Sequence, residues 1–204
     1  MKAQFFPYHD ENPTKTRSYV TYALIAINAA VFLWSLTDFS GIIRTWGFTP
    51  VQFSLVTLLT SMFLHGSIDH IFGNMWYLFL FGDNVEDQLG RLRYIGFYLA
   101  AGVSAALIQF ATEPLSAIPT IGASGAISGV LGAYLAMFPK ARIRAIGFYT
   151  TMNLSAVWMI GSWFFLQLIW GVTSLVGGMG SNIAFWAHIG GFAFGYAAIK
   201  LLKK

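Results

Sequence analysis

Residues 122–138 read GASGAISGVLGAYLAMF, an uncharged run in which small residues recur at a four-residue spacing. Ser124, Ser128 and Gly132 form one such series and Gly125 with Gly129 another, so a helix over this run has one side nearly free of side-chain bulk. Small faces let membrane helices approach closely, because packing rather than water exclusion drives their association. A second run, AHIGGFAFG at 187–195, holds Gly191 and Gly195 as a GxxxG pair, with His188 three residues before the first glycine and on the same face. The two runs are therefore expected to abut, with His188 turned toward Ser124.

The surroundings of these runs are apolar. Hydrophobic residues make up 56% of the chain and charged residues 10%, and the mean hydropathy is +0.63, well outside the range of ordinary soluble domains. A hydrocarbon core of roughly 30 Å asks for about 20 helical residues. Six apolar stretches qualify or nearly so, at 19–37, 70–85, 92–111, 124–138, 154–176 and 188–202, the second and fourth being short. The expected fold is an all-α polytopic membrane protein with six transmembrane helices over 19–204. Before it lies a short polar segment, 1–18, which carries Pro7 and Pro13. No small-residue cleavage pattern follows the first apolar stretch, which is read as a retained anchor. The absence of cysteine removes disulfides, iron–sulfur ligation and thiol chemistry.

Lysine and arginine set the orientation. With the N-terminus cytoplasmic, Lys2, Lys15, Arg17, Arg91, Arg93, Lys140, Arg142, Arg144, Lys200, Lys203 and Lys204 all fall inside and only Arg44 outside. The net charge of +4 is then explained by anionic inner-leaflet lipid and needs no nucleic acid. The second, fourth and sixth stretches run inward from the outer face, and they begin with His70, Ser124 and His188. Three reactive side chains thus converge at one level of the bilayer.

A serine hydroxyl becomes a competent nucleophile when a neighbouring base takes its proton, and imidazole suits that task. Ser124 and His188 would suffice as a dyad. In isolation Ser124 also reads as a helix cap. His188 near a helix start faces the positive end of the backbone dipole, which favours the neutral ring that a resting base requires. No carboxylate lies in the last three apolar stretches, and of the outer-side acids Asp38, Asp69 and Glu113, Asp69 is the one candidate for a third member. His70 and Asn74, four residues apart and so on one helical face, can aim donors at a developing oxyanion, joined by the backbone N–H of Ser124 at its helix start. The same pair equally suits interhelical hydrogen bonds that stiffen a bundle. His65 reads as a loop-bracing residue.

Taken together these residues resemble the rhomboid intramembrane serine proteases. GASG at 122–125 is similar to the family's nucleophile motif, AHIGGFAFG at 187–195 to its general-base motif, and FLHGSIDHIFGNMWYL at 63–78 to its HxxxN element. DNVEDQLGRLRY at 83–94 resembles the family's loop after the second helix, which implies structural roles for Glu86 and Arg93. The resemblance implies Ser124 as nucleophile, His188 as general base and acid, and oxyanion support from His70, Asn74 and Ser124. It implies transmembrane protein substrates, cut near the outer face after sideways entry past 154–176 or under a mobile cap at 177–186. The implied setting is lipid, a bacterial plasma membrane with both termini cytoplasmic, and neither cofactor nor metal is called for. Two departures stand out: Val56 and Thr57 occupy the place of a frequent Trp-Arg pair, and Ser128 that of an aromatic residue which packs on the base.

The segment 38–69, with Arg44, Trp46 and Pro50 but no full span, reads as a piece lying in the outer leaflet. Trp34, Trp46, Trp76 and Trp186 read as a membrane-interface belt, and Trp158, Trp163 and Trp170 as a bulky surface that is either a lateral gate or, the favoured reading, a lipid-facing side. A transporter is the reading from another class, and it calls for polar groups along a complete route. Here the third to sixth stretches are nearly uncharged and the polar groups gather at one end, which favours a site over a pore. A zinc protease is disfavoured by the absence of HExxH, whereas a catalytically inert scaffold differs from an enzyme only in what its reactive residues do.

Overall fold

The apolar stretches form helices in the computed structural model, which describes residues 6–147, 150–177 and 183–202. In chain order the elements are β1 (Phe6–Asp10), α1 (Tyr19–Ser35), α2 (Phe39–Trp46), α3 (Leu55–Thr60), α4 (Ile68–Leu89), α5 (Arg91–Thr112), α6 (Ser124–Met137), β2 (Arg142–Gly147), β3 (Thr150–Ser155), α7 (Ala156–Gly177) and α8 (Phe185–Leu202). Helices α1 and α4 to α8 coincide with the six apolar stretches. Three of them, α5, α7 up to Leu175 and α8, are long and apolar enough to cross a bilayer, and α4 joins them if it is counted with the sharply bent segment Leu55–Phe63 before it. Helices α1 and α6 are apolar but shorter, so the molecule is multi-pass while the count of six spans is not established by helix length.

Helix α6 is the axle of the bundle. Nearly all its residues from Gly125 to Ala136 are buried, enclosed by α4, α5 and α8. Its approach to α8 takes place at backbone level. A Cβ added to Gly191 would fall on the Gly125 carbonyl oxygen, one on Gly195 would fall on the Gly129 carbonyl oxygen, and one on Gly132 would strike the Phe192 carbonyl. The small faces of the two runs therefore form one seam, as their spacing implies. Bulk re-enters away from the seam, where Tyr134 packs edge-on against Phe81 at 5.0 Å and Tyr94 and Tyr98 are fully buried.

The expectation of an all-α chain is corrected by a three-stranded antiparallel sheet in the order β1-β2-β3. Arg142, Arg144 and Ile146 are exposed while Ile143 and Ala145 are fully buried, the two-residue period of a strand lying on a core. The basic residues that marked this connection as a cytoplasmic loop are the outward half of that alternation. Strand β3 also takes Leu154 and Ser155, so α7 starts two residues later than the hydropathy suggests. Strand β1 pairs Phe6 with Ile146 and Asp10 with Ile143, which fastens residues 6–10 to the α6–α7 connection. Side chains secure the attachment. Trp76 Nε1 donates to the Pro7 carbonyl at 2.7 Å, Asn84 Nδ2 to the Asn12 carbonyl at 2.8 Å, and Arg144 Nε to Glu11 at 2.7 Å.

Glu86, placed among structural residues by the resemblance, is buried near the end of α4 and accepts from Val20 N, Thr21 N and Thr21 Oγ1 at 3.0, 2.7 and 2.8 Å. It does for α1 what Ser18 does not, since the Ser18 side chain makes no capping bond. A carboxylate at the positive end of a helix satisfies its orphan N–H groups and its dipole together. Gly90 then turns the chain from α4 directly into α5 with φ 73, a conformation that suits glycine.

Glu86→Ala strips three buried donors of their acceptor, and a loss of about 1.5–3 kcal/mol is expected from hydrogen bonds to a charged group. Gly195→Ala forces backbone apart along the seam at about 1–3 kcal/mol. Thermal melting in detergent checks both, and a wild-type midpoint in either variant contradicts the corresponding packing.

Candidate active site

Ser124 is the first residue of α6, carried there by an approach that few sequences permit. Gly122 has φ 123, outside what residues with a side chain readily adopt. Its N–H donates to the Ser61 carbonyl at 2.9 Å, which ties the entrance of α6 to the turn after α3. The serine Oγ lies 2.8 Å from His188 Nε2. His188 sits in the first turn of α8, which opens at Phe185, three residues earlier than the apolar stretch suggests. The glycine seam sets this pairing, since His188, Gly191 and Gly195 share the α8 face that meets α6.

Two residues that motif reading does not single out complete the setting of His188. Gln167 of α7 is fully buried, and its Oε1 lies 2.9 Å from His188 Nδ1. Gln109 of α5 is also buried, and its Oε1 accepts from Ala187 N at 3.2 Å, fixing the start of α8 from outside. The signal available in the sequence is modest: Gln167 is the only side-chain amide within 156–177, and Gln109 one of few polar groups in 92–111. Asp69, the carboxylate singled out as a third member, stands exposed on the first turn of α4, and the Nδ1 contact of His188 is made by Gln167 instead. Asp38 is engaged elsewhere, accepting from Gly41 N as the cap of α2.

His70 and Asn74 lie one turn apart on α4. Gly66 N–H donates to His70 Nδ1 at 3.4 Å, which leaves the ring proton on Nε2. That Nε2 faces the Ser124 entrance, for a Cβ built on Gly122 would stand 2.8 Å from it and 3.7 Å from Ser124 Oγ. Asn74 is buried and its Nδ2 has no protein partner. A buried amide donor without an acceptor is costly in a resting protein and is suited to a ligand oxygen. His65 is fully buried with its ring edge-on to that of His70 at 5.1 Å.

The departures at 56–57 and 128 are compensated by other contacts. The outer segment is braced by reciprocal backbone bonds between Phe48 and Thr120, by Val51 N donating to the Ser116 carbonyl, by Thr60 Oγ1 donating to the Trp46 carbonyl, and by Phe48, Phe53 and Phe110 packed edge to face. Ser128 donates to the Ser124 carbonyl at 2.6 Å, and the ring near the imidazole is Trp163, 6.0 Å away. Of the α7 tryptophans expected to face lipid, Trp158 is 74% exposed. Trp163 and Trp170 are half-buried and pack on α8 against Phe192 and Phe185. Of the expected cap at 177–186, residues 178–182 lie outside the described residues.

The family model for the Rhomboid domain matches residues 52–204. Rhomboid protein 1, mitochondrial, of Saccharomyces cerevisiae is 27% identical over 94% of this chain and 53% of its own length. Presenilin-associated rhomboid-like protein, mitochondrial, of Mus musculus is 33% identical over 60% of this chain and 34% of its own. Rhomboid protease GluP of Bacillus subtilis is 34% identical over 71% of this chain and 25% of its own. The chain thus spans about half, or less, of the length of these relatives. Two of them are named as mitochondrial, so the comparisons do not support the expected bacterial plasma membrane over an organelle.

Gly122→Ala places a methyl group against His70 Nε2 at a φ costly for alanine, at about 1–3 kcal/mol. A lower melting temperature and displaced His70 ring resonances are expected, and wild-type values for both contradict the geometry.

Proposed function

The chain belongs to the rhomboid family, and from that premise we propose that it is an intramembrane serine endopeptidase hydrolysing peptide bonds in or near transmembrane segments of membrane proteins. The observation that supports the chemistry is the 2.8 Å approach of His188 Nε2 to Ser124 Oγ. His188 takes the hydroxyl proton as Oγ attacks the scissile carbonyl, and the oxyanion forms within reach of donors from His70 Nε2, Asn74 Nδ2 and the Ser124 backbone N–H. His188 then gives its proton to the leaving amine, leaving an acyl-serine ester. Water, deprotonated by the same ring, cleaves that ester and returns the hydroxyl. No cofactor or metal is called for.

The proposed substrates are transmembrane proteins, met within the lipid that surrounds the six proposed spans. The proposed orientation puts the lysine- and arginine-rich ends, the sheet and both termini on the cytoplasmic or equivalent side, and Ser124, His188 and His70 toward the opposite face. Whichever membrane the protein occupies, this arrangement predicts cleavage on the side away from those basic residues.

Wild type should cleave a membrane-spanning reporter in liposomes, while Ser124→Ala and His188→Ala should not. Asn74→Ala should keep partial activity, with kcat lowered about 10²–10³-fold. Equal cleavage by wild type and Ser124→Ala would remove the serine mechanism. A folded wild type that cleaves no reporter across several lipids and substrates would favour a binding scaffold.

A further inference from the structure

Helix α7 has the composition of a lipid-facing span, yet it delivers one amide into the centre of the molecule. From Gly161 to Leu175 its side chains are exposed or half-buried except at Gln167 and Gly171. Gln167 is fully buried, and burying an amide costs roughly 1–3 kcal/mol unless its polar atoms are matched. Its Oε1 is matched by His188 Nδ1 at 2.9 Å, while its Nε2 has no partner. An apolar residue of similar volume would avoid that cost, so the amide is informative about the ring it meets.

The consequence lies in where the imidazole carries its proton. A carbonyl oxygen at Nδ1 accepts, so it holds the proton on Nδ1 and leaves the Nε2 lone pair facing Ser124 Oγ. With the amide turned over, its N–H would donate to Nδ1 and the proton would move to Nε2. His188 would then point a donor at the serine and could not act as its base. Among the described residues the Nδ1 contact is Gln167 and not a carboxylate: Asp69 is exposed on α4, and α6 and α8 carry no acidic residue. One turn before Gln167, Trp163 lies beside the same ring, and Phe164 stacks on Phe192 at 4.1 Å, which holds this part of α7 against α8.

We propose that Gln167 is the positioning residue of the dyad, its side-chain carbonyl fixing the His188 tautomer that can accept the Ser124 proton. The inference depends on the Ser124–His188 reading but is tested by a readout of its own. In protein carrying ¹⁵N-labelled histidine, of which there are four, His188 should show a protonated Nδ1 and an unprotonated Nε2 at neutral pH. Gln167→Leu should give a mixture of tautomers and lower kcat roughly 10²-fold with KM nearly unchanged. Gln167→Glu keeps an acceptor and should restore most of kcat, with the acidic limb of the kcat/KM profile moved to higher pH by the added negative charge. An unchanged His188 tautomer in Gln167→Leu would overturn the proposal. So would a folded Gln167→Glu variant that lacks activity, an outcome read against wild type and therefore decisive even should the leucine variant fail to fold. Failure of the serine mechanism itself looks different: Ser124→Ala would remain active whatever the tautomer.

Discussion

The bare contact between α6 and α8 governs everything else in this molecule. Carbonyl oxygens of Gly125 and Gly129 lie where side chains of Gly191 and Gly195 would be, so the two helices are fixed in height and rotation by backbone shape rather than by adjustable side chains. In lipid, where apolar burial alone gives neighbouring helices little reason to associate, such close fit is a main source of affinity. Because Ser124 begins one helix and His188 lies in the first turn of the other, the register that optimises the seam also brings hydroxyl and imidazole to bonding distance. Fold and site share one constraint.

Around that seam most of the polar groups that hold the site sit at helix ends, Gln167 midway along α7 being the exception. Glu86 meets the N-terminus of α1 and Gln109 that of α8, and His70, Ser124 and His188 all sit in first turns. Helix interiors are nearly uncharged, while the ends supply oriented donors and acceptors, Glu86 at one end of α4 and His70, with Ser124 and His188, at the other. Asn74 fits the pattern as the deepest of the set, a buried donor one turn along α4 with no acceptor of its own.

Much of this was legible in the residues, and the part that was not has a physical reason. The seam, Ser124, His188, His70 and Asn74 could be read because helical periodicity turns spacing into shared faces and the charge pattern aligns helix starts. The sheet was missed because Arg142 and Arg144 answer two questions at once: they mark the basic side of the membrane, and they are also the outward positions of RIRAIG. Only the partner strands distinguish a loop from a ladder: one lies at residues 6–10, far away in sequence, and the other, Thr150–Ser155, ends in Leu154 and Ser155, which hydropathy assigns to the helix that follows. Gln167 was missed because a lone glutamine in an apolar run has no periodic companion. Its significance comes from the rotation of α7 about its axis, which also decides that Trp163 turns inward and Trp158 outward, and no spacing rule within α7 fixes that rotation.

The separation of the dyad along the chain has a bearing on biosynthesis. The hydroxyl emerges with the start of α6, but the ring that would activate it arrives only with α8, after the hairpin and α7 have been made. Until that helix docks, the small face of α6 lacks its counterpart and the serine has no base. A ribosome-bound or truncated chain ending before α8 would therefore lack the base of the proposed chemistry, and the pairing of hydroxyl with imidazole is completed in the same event that closes the α6–α8 seam.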